Sequence, residues 1–222
     1  MRILVIEDEP ALALRLQQTL EAAGFAVDVA YDGEDGWHLG DTEPYDAAVL
    51  DLGLPTIDGV TILQRWRAAG RQLPVLILTA RSRWSEKMAG FQAGADDYMT
   101  KPFEMDEVVY RLRALIRRAA GHAQPELNCG PLRLDTLAGR FSLDGVPLQL
   151  TAQEFRILAY LMHHAGAVVS RTELMEHVYD RHFDSDSNVL EVLIGRIRRK
   201  LKADLIHTVR GLRYRLAEEP AA

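Results

Sequence analysis

The sequence lacks several features that would assign it to a familiar class of protein. Its single cysteine, Cys129, can form neither an internal disulfide nor a thiolate metal cluster. No apolar run approaches the roughly 18 residues of a membrane-spanning helix, and the apolar run at 3–6 is too short for a signal peptide. We therefore expect a cytoplasmic protein without a membrane partner.

Loops that bind nucleotides are missing as well. The chain has neither a Walker-type phosphate loop nor the glycine-rich loop of dinucleotide-binding proteins, and it has no internal repeat or low-complexity segment. What it does have is the composition of a globular protein, with 48% hydrophobic and 26% charged residues among 222. That length is enough for two domains of ordinary size.

An excess of positive charge is also absent, since the formal net charge is −6. Residues 1–120 carry this acidic excess, whereas residues 121–222 are neutral. Within the second half, residues 188–216 hold eight basic residues and two acidic ones, so this stretch alone is +6. A locally basic stripe is typical of DNA-binding proteins, although composition alone fits a solvated helix face with salt bridges equally well.

Short apolar strands alternate with amphipathic helices through the first half. Five strands and five helices in this order predict an α/β fold, with a doubly wound, five-stranded parallel sheet and helices on both of its faces. In such a sheet the ligand site lies where the strands end. The predicted strands are Arg2–Ile6, Ala26–Ala30, 46–52, 74–80 and Asp97–Thr100.

The pattern changes after residue 120. Short antiparallel strands at 127–150 precede two helices, which begin at the capping boxes Thr151-Ala152-Gln153-Glu154 and Ser170-Arg171-Thr172-Glu173. A third helix at about 187–202 and a hairpin at 206–216 complete a winged helix-turn-helix, an α+β domain. The expected divisions are a first domain at 1–120, a linker at 121–126 and a second domain at 127–222.

Polar side chains lie at the carboxyl ends of four of the predicted strands: Glu7 and Asp8, Asp51, Thr79 and Lys101. Carboxylates gathered in one cleft repel one another unless a divalent cation holds them, and oxygen ligands suit Mg²⁺. A carboxylate beside Mg²⁺ and a lysine can attack a phosphoryl group. Each of these residues taken alone is more typical of a turn or a cap. Four in this order favour aspartyl-phosphate chemistry.

Four stretches carry this pattern further: Ile6-Glu7-Asp8-Glu9, Asp51-Leu52-Gly53-Leu54-Pro55, Leu78-Thr79-Ala80, and Gly94-Ala95-Asp96-Asp97-Tyr98-Met99-Thr100-Lys101-Pro102-Phe103. Together they resemble the receiver domain of bacterial response regulators, over about residues 1–120. The resemblance implies a flavodoxin-like fold in which Asp51 accepts a phosphoryl group from a sensor histidine kinase. It also implies that Lys101, next to a cis peptide bond, pairs with that group.

Further roles follow from the resemblance alone. Thr79 and Tyr98 are expected to form the switch pair that responds to phosphorylation. The protein would accept a phosphoryl group and remove it again, without being a dedicated enzyme. The implied Mg²⁺ ligands are Asp8, Asp51 and the Gly53 carbonyl, with Glu7 acting through water.

Two other functions use a similar pocket. Phosphatases of the haloacid-dehalogenase type have a second aspartate two residues after the nucleophile, but Gly53 occupies that position here. A pseudo-receiver, in contrast, would keep the acidic pocket as structure only and dimerise without phosphorylation. The sequence disfavours the phosphatase and leaves the pseudo-receiver as the main alternative.

The helix predicted at 187–202 has two unlike faces. Leu190, Ile194, Ile197 and Leu201 repeat at intervals of 4, 3 and 4, so we expect them to be buried. An α-helix fits the major groove of double-stranded DNA, and basic residues near its end can reach phosphates. A basic helix that binds protein or nothing is the alternative. The candidate DNA contacts on this helix are Asn188, Val192, Arg196, Arg198, Arg199 and Lys200.

The remaining tail, with the segments at 150–155 and 169–174, resembles the winged helix of OmpR/PhoB regulators, most nearly the PmrA/QseB-like branch. The resemblance implies that Arg210 enters the minor groove and that Thr208 and Tyr214 contact phosphates. Two positions depart from the family pattern: Arg213 replaces a glycine of the wing turn, and Lys202 stands where a glycine often ends the helix. A tight turn with a positive φ would be strained by arginine, so either the turn is rebuilt or Arg213 adds a phosphate contact.

The family also dimerises through one face of its receiver when phosphorylated. Surface pairing within one chain is the alternative for its charged members. Expected partners are thus double-stranded DNA, a sensor histidine kinase, a second copy of the chain and RNA polymerase. The candidate residues of this face are Lys87, Phe91, Asp97, Glu107, Val108 and Arg111.

Overall fold

The computed structural model describes residues 1–80, 84–180, 189–210 and 213–218. The first half is the predicted alternation of strands and helices, and the ends of the elements agree with the sequence to within a few residues. In chain order the elements are β1 (Arg2–Ile6), α1 (Pro10–Ala22), β2 (Ala26–Ala30), α2 (Gly33–Thr42), β3 (Ala47–Asp51), α3 (Gly59–Ala68), β4 (Val75–Thr79), α4 (Trp84–Gln92), β5 (Asp97–Thr100) and α5 (Met105–Ala119).

The five strands form one parallel sheet in the order β2-β1-β3-β4-β5. Successive residues of a strand point to opposite faces, and β1 shows the consequence. Ile3 and Val5 pack with α1 and α5, whereas Leu4 and Ile6 pack with α2 and α3. The doubly wound fold expected from the sequence is thus confirmed.

The second half contains seven short strands and three helices among its described residues. Both capping boxes form, at Thr151 and at Ser170. The elements are β6 (Glu126–Cys129), β7 (Leu132–Asp135), β8 (Arg140–Leu143), β9 (Val146–Pro147), α6 (Ala152–His163), β10 (Val168–Ser170), α7 (Arg171–Val178), α8 (Val189–Leu201), β11 (Ile206–Val209) and β12 (Arg213–Leu216).

The wing is a three-stranded sheet rather than the two-stranded hairpin that we expected. β11 and β12 pair antiparallel as predicted, and β10 adds to the other side of β12. The sequence did not indicate β10 because three residues are too few for an alternating pattern to be recognised. A separate antiparallel sheet, β6-β7-β8-β9, precedes α6.

The two halves share a continuous apolar core. Side chains from the α1 and α5 side of the parallel sheet, including Phe25 and Ile116, belong to one cluster with Ile157 and Leu158 of α6. The second half contacts the end of the parallel sheet where its strands begin. We call this end, together with the adjoining α1–β2 turn, the amino edge. The opposite side, where the strands end, is the carboxyl edge.

Candidate functional site

The predicted acidic residues meet at the carboxyl edge. Glu7 and Asp8 follow β1, Asp51 is the last residue of β3, and these strands are neighbours in the sheet. One carboxylate oxygen from each of the three lies within 4.8 Å of the others. Glu7 and Asp51 are buried, at 1% and 8% exposure, whereas Asp8 is exposed and opens the pocket to solvent.

Lys101, just after β5, closes this pocket with its ammonium group. Its Nζ donates to both carboxylate oxygens of Glu7, at 2.9 and 2.8 Å, and to Oδ2 of Asp51 at 2.8 Å. Burial alone would lower the pKa of Lys101, but the hydrogen bonds to Asp51 and Glu7 outweigh it and raise that pKa. The pKa of Glu7 is raised, mainly by burial, against the effect of Lys101.

The donor set fits a small divalent cation. Three carboxylates face one ammonium, so the pocket keeps two uncompensated negative charges when all are ionised. The 4.8 Å that contains the three oxygens is only slightly wider than the roughly 4.2 Å between opposite ligands of an octahedral Mg²⁺. The exposed side at Asp8 leaves room for the waters that Mg²⁺ retains.

The loop after Asp51 is shaped by a glycine that sequence reasoning overlooked. A Cβ on Gly59 would lie 2.3 Å from the Asp51 carbonyl oxygen, so only glycine fits there. The signal was available as the Asp58-Gly59 pair that begins α3. Gly53, by contrast, has space, and its amide donates to Oδ1 of Asp51 at 3.2 Å. The Lys101–Pro102 bond is cis, as expected.

The predicted switch residues lie on β4 and β5. Thr79 ends β4 and is buried, and its backbone carbonyl accepts a hydrogen bond from the Lys101 amide at 2.8 Å. Tyr98 is half-buried, with its ring centroid 6.2 Å from that of Phe91 on α4. Phe91 is 47% exposed. The positions connect the pocket to α4, which is what a switch pair needs.

The charged residues of the predicted dimer face pair within the chain. Arg111 donates to both oxygens of Asp97, at 3.0 and 2.8 Å, and to Glu107 at 2.8 and 2.6 Å. Val108 was expected in the apolar centre of this face, which is wrong, because it is 1% exposed and packs in the core. Lys87 lies on α4, but its side chain is outside the described part of the structure.

The two faces of α8 are as predicted. Its buried residues are Leu190, Leu193, Ile194, Ile197 and Leu201, so the expected apolar stripe is confirmed and gains Leu193. On the other face Val192 is 51% exposed, and Arg196 and Arg199 are exposed as well. Asn188 lies outside the described residues.

Two of the expected DNA contacts on α8 have partners inside the protein instead. Arg198 donates to the Ile206 carbonyl at 2.9 Å and to Oγ1 of Thr208 at 2.7 Å, which ties the helix to β11. Lys200 donates to the buried carboxylate of Glu154 at 2.6 Å. Helical spacing places these residues correctly but does not reveal that another element lies within reach.

In the wing, Thr208, Arg210 and Arg213 are exposed. Arg210 and Arg213 are exposed on either side of the turn, and Arg213 pairs with Val209 as the first residue of β12. Tyr214 was expected to contact phosphate, but it is 3% exposed, and burial raises its pKa. Lys202 does take the left-handed conformation, with φ of 51°.

Comparison with known proteins identifies both domains. The model of the response regulator receiver domain matches residues 3–113, and that of the C-terminal domain of transcriptional regulatory proteins matches 145–216. The receiver domain of the Francisella response regulator 1452 superposes with a TM-score of 0.52 at 35% identity, covering 53% of this chain and 98% of that one. Among the described helices, none is long and apolar enough to cross a membrane.

Full-length relatives give the same result. The two-component response regulator PhoP of Pseudomonas aeruginosa is 43% identical over 222 residues, which are 98% of this chain and 99% of that protein. The transcriptional regulatory protein QseB of Escherichia coli O157:H7 is 43% identical over 219 residues, 99% and 100% of the two chains. Since both halves match in order and the relatives align from end to end, the chain belongs to the OmpR/PhoB family of response regulators, transcriptional regulators of two-component systems, and lies near its PmrA/QseB branch.

Proposed function

We propose that Asp51 accepts a phosphoryl group from a sensor histidine kinase and that this event controls DNA binding by the second domain. The observation that carries the proposal is the 2.8 Å contact from Lys101 Nζ to Asp51 Oδ2, in a pocket that opens at Asp8. A carboxylate oxygen of Asp51 forms the new P–O bond, and the P–N bond to the kinase's histidine breaks, with the electron pair left on that nitrogen.

The neighbours of Asp51 each have a part in this chemistry. Mg²⁺ held by Asp8, Asp51 and the Gly53 carbonyl, with Glu7 behind a water, would supply positive charge to the phosphoryl oxygens. The Lys101 ammonium already contacts Asp51 and pairs with the phosphoryl group once it is attached. Water later hydrolyses the acyl phosphate, which returns the protein to its resting form.

The signal passes to the dimer face through Thr79 and Tyr98. The Thr79 hydroxyl bonds a phosphoryl oxygen, and the Tyr98 ring then moves against α4, where Phe91 is already exposed. In the dimer, Asp97, Glu107 and Arg111 exchange some of their internal contacts for contacts with the second copy. Such exposed pairs contribute little energy each, so the apolar surface at Phe91 provides most of the association.

The two DNA-binding domains of the dimer then bind DNA together. The exposed face of α8 enters the major groove, with Val192, Arg196 and Arg199 facing bases and phosphates, and Asn188 at its start. Arg210 enters the minor groove, while Arg213 and Thr208 contact phosphates. Two winged helices that are tethered by their receivers bind adjacent half-sites with raised effective concentration, and RNA polymerase is the further partner of the bound dimer. We place the boundary between the domains at 121–126.

The test compares Asp51→Asn with Asp41→Asn, a surface carboxylate paired only with Arg71 among the residues described. Each protein is treated with beryllofluoride and Mg²⁺, and its mass by light scattering and its affinity for DNA are measured. We expect a dimer and roughly tenfold or more tighter DNA binding in the wild type and in Asp41→Asn, and neither change in Asp51→Asn. A response in Asp51→Asn would contradict the proposal. A wild type that dimerises without treatment would point to the pseudo-receiver.

A further inference from the structure

The amino edge packs tightly against α6 and α7 of the DNA-binding domain. At the α1–β2 turn, a Cβ on Gly24 would lie only 2.8 Å from the Phe155 ring. Arg156 of α6 donates to the Gly24 carbonyl at 3.3 Å. From the receiver, Arg113 of α5 donates both to the Ala23 carbonyl at 3.0 Å and to the Leu137 carbonyl of the other domain at 2.7 Å.

Four of the seven histidines of the chain lie along this contact. His122 in the linker approaches His163 at the end of α6, with Nε2 at 2.8 Å from the His163 carbonyl oxygen. The Tyr160 ring lies between the other two, with its centroid 4.3 Å from that of His164 and 4.8 Å from that of His177. Histidine is the side chain that ordinarily titrates near neutral pH. A cluster of four histidines therefore makes this contact a candidate for proton-linked behaviour.

The packing of the two domains disfavours the protonated, charged form of His163. It is 8% exposed, and its Nδ1 has no hydrogen-bond partner among the described residues. It lines a cavity of about 40 Å³ whose other walls come from both domains and include two further cations, Arg113 and Arg156. The pKa of His163 falls to about 3, because of burial first and then the positive charges of His122, the Met1 amino group and His164, against a smaller opposite effect of Asp46.

His177 acts in the opposite direction. Its Nδ1 lies 3.1 Å from Oδ1 of Asp46, in a close contact without good hydrogen-bond geometry. Burial alone would raise the pKa of Asp46, but His177, the Met1 amino group and the Arg2 amide hold it below its usual value. The contact between His177 and Asp46 therefore supports the packed arrangement.

Three more charged groups surround this pair. The Arg2 guanidinium donates to the Glu176 carbonyl at 3.4 Å, and the Glu173 carboxylate accepts from the Tyr160 hydroxyl at 3.0 Å. The Met1 amino group, whose pKa burial lowers to about 6, favours separation on acidification in the same way as His163.

We propose that the contact between the amino edge and α6–α7 is an acid-sensitive latch, in which protonation of His163 releases the DNA-binding domain from the receiver. Separation exposes His163 to water and returns it to the ordinary histidine pKa of about 6.5, so the separated form binds the extra proton. Between pH 7.5 and 5.5 this alone raises the equilibrium constant for separation roughly tenfold.

The experiment follows the full-length protein at pH 7.5 and 5.5, at a concentration where light scattering finds monomers. Small-angle X-ray scattering gives the radius of gyration, and hydrogen exchange reports protection at 20–26. The separated state is calibrated at pH 7.5 with Gly24→Ala, in which the new Cβ meets Phe155. Gly70→Ala is the matched control, because Gly70 ends a helix in the same left-handed conformation but has nothing within 4 Å.

Three results are expected. The wild type expands and loses protection at pH 5.5. His163→Phe expands less, because the Met1 amino group still favours separation on acidification. His177→Asn expands more than the wild type because it lacks the contact with Asp46. His163→Gln, which is uncharged and polar, replaces the phenylalanine variant if circular dichroism shows that the latter has not folded. An equal response in the wild type and the uncharged variant would overturn the proposal, as would a smaller response in His177→Asn.

Discussion

The carboxyl and amino edges of the same parallel sheet differ in how their buried charged side chains are paired. At the carboxyl edge three carboxylates share one lysine, and one side stays open to solvent at Asp8. At the amino edge, Arg2 pairs with Asp28 at 2.7 Å, with side chains 3% and 1% exposed, and with Glu43 at 3.0 Å, beneath the second domain. A site that must take up a cation and a phosphoryl group keeps unbalanced charge within reach of water. At the amino edge, the buried guanidinium of Arg2 is instead paired with carboxylates.

The largest expected effect is at the amino edge. Arg2→Met removes the cation from Asp28 while keeping much of the apolar stem, and loss of one partner of a buried pair costs about 3–5 kcal/mol of stability. Arg71→Met is the control, since its pair with Asp41 is exposed and should contribute less than about 1 kcal/mol. Urea unfolding measures both. Equal losses would show that the two pairs do not differ as their burial indicates.

At the carboxyl edge, Gly59→Ala tests how closely the loop is fitted to Asp51. Its Cβ would lie 2.3 Å from the Asp51 carbonyl oxygen, so the loop must shift, at a cost of about 1–3 kcal/mol, and the rate of phosphorylation by acetyl phosphate should fall roughly tenfold or more. Gly53→Ala has room for its Cβ and retains the carbonyl. It should keep wild-type stability and rate, and a comparable loss there would refute this account of the loop.

A smaller effect is expected from Glu7→Gln, which removes one charge from the pocket and leaves its shape. Mg²⁺ affinity, measured by calorimetry, should fall roughly tenfold, as is usual when a residue behind the direct ligands is changed. Since the pKa of Glu7 is raised, the wild type should also lose affinity on mild acidification, and the variant should lose less. Glu9→Gln, an exposed neighbour, is the control. An unchanged affinity in Glu7→Gln would exclude Glu7 from the metal site.

The sequence predicted most of what depends on periodicity and order along the chain. Strand ends could be located because apolar runs stop at Asp51 and Thr79, and the parallel sheet then brings those ends together. The apolar stripe of α8 was likewise evident from its spacing. What could not be predicted depends on which element lies opposite: Val108 and Tyr214 are buried, and Lys200 bonds Glu154, 46 residues away. The contact at the amino edge left no local pattern at all.

One feature of α8 has a consequence for how the protein finds its sites. Val192, Arg196 and Arg199 are exposed although the two domains are packed together. A resting monomer thus already presents positive charge to any duplex, and such sequence-independent attraction lets proteins slide and hop along DNA. Under the mechanism proposed above, phosphorylation therefore acts on dwell time, since a chain that scans alone leaves quickly and a pair that lands on two half-sites stays.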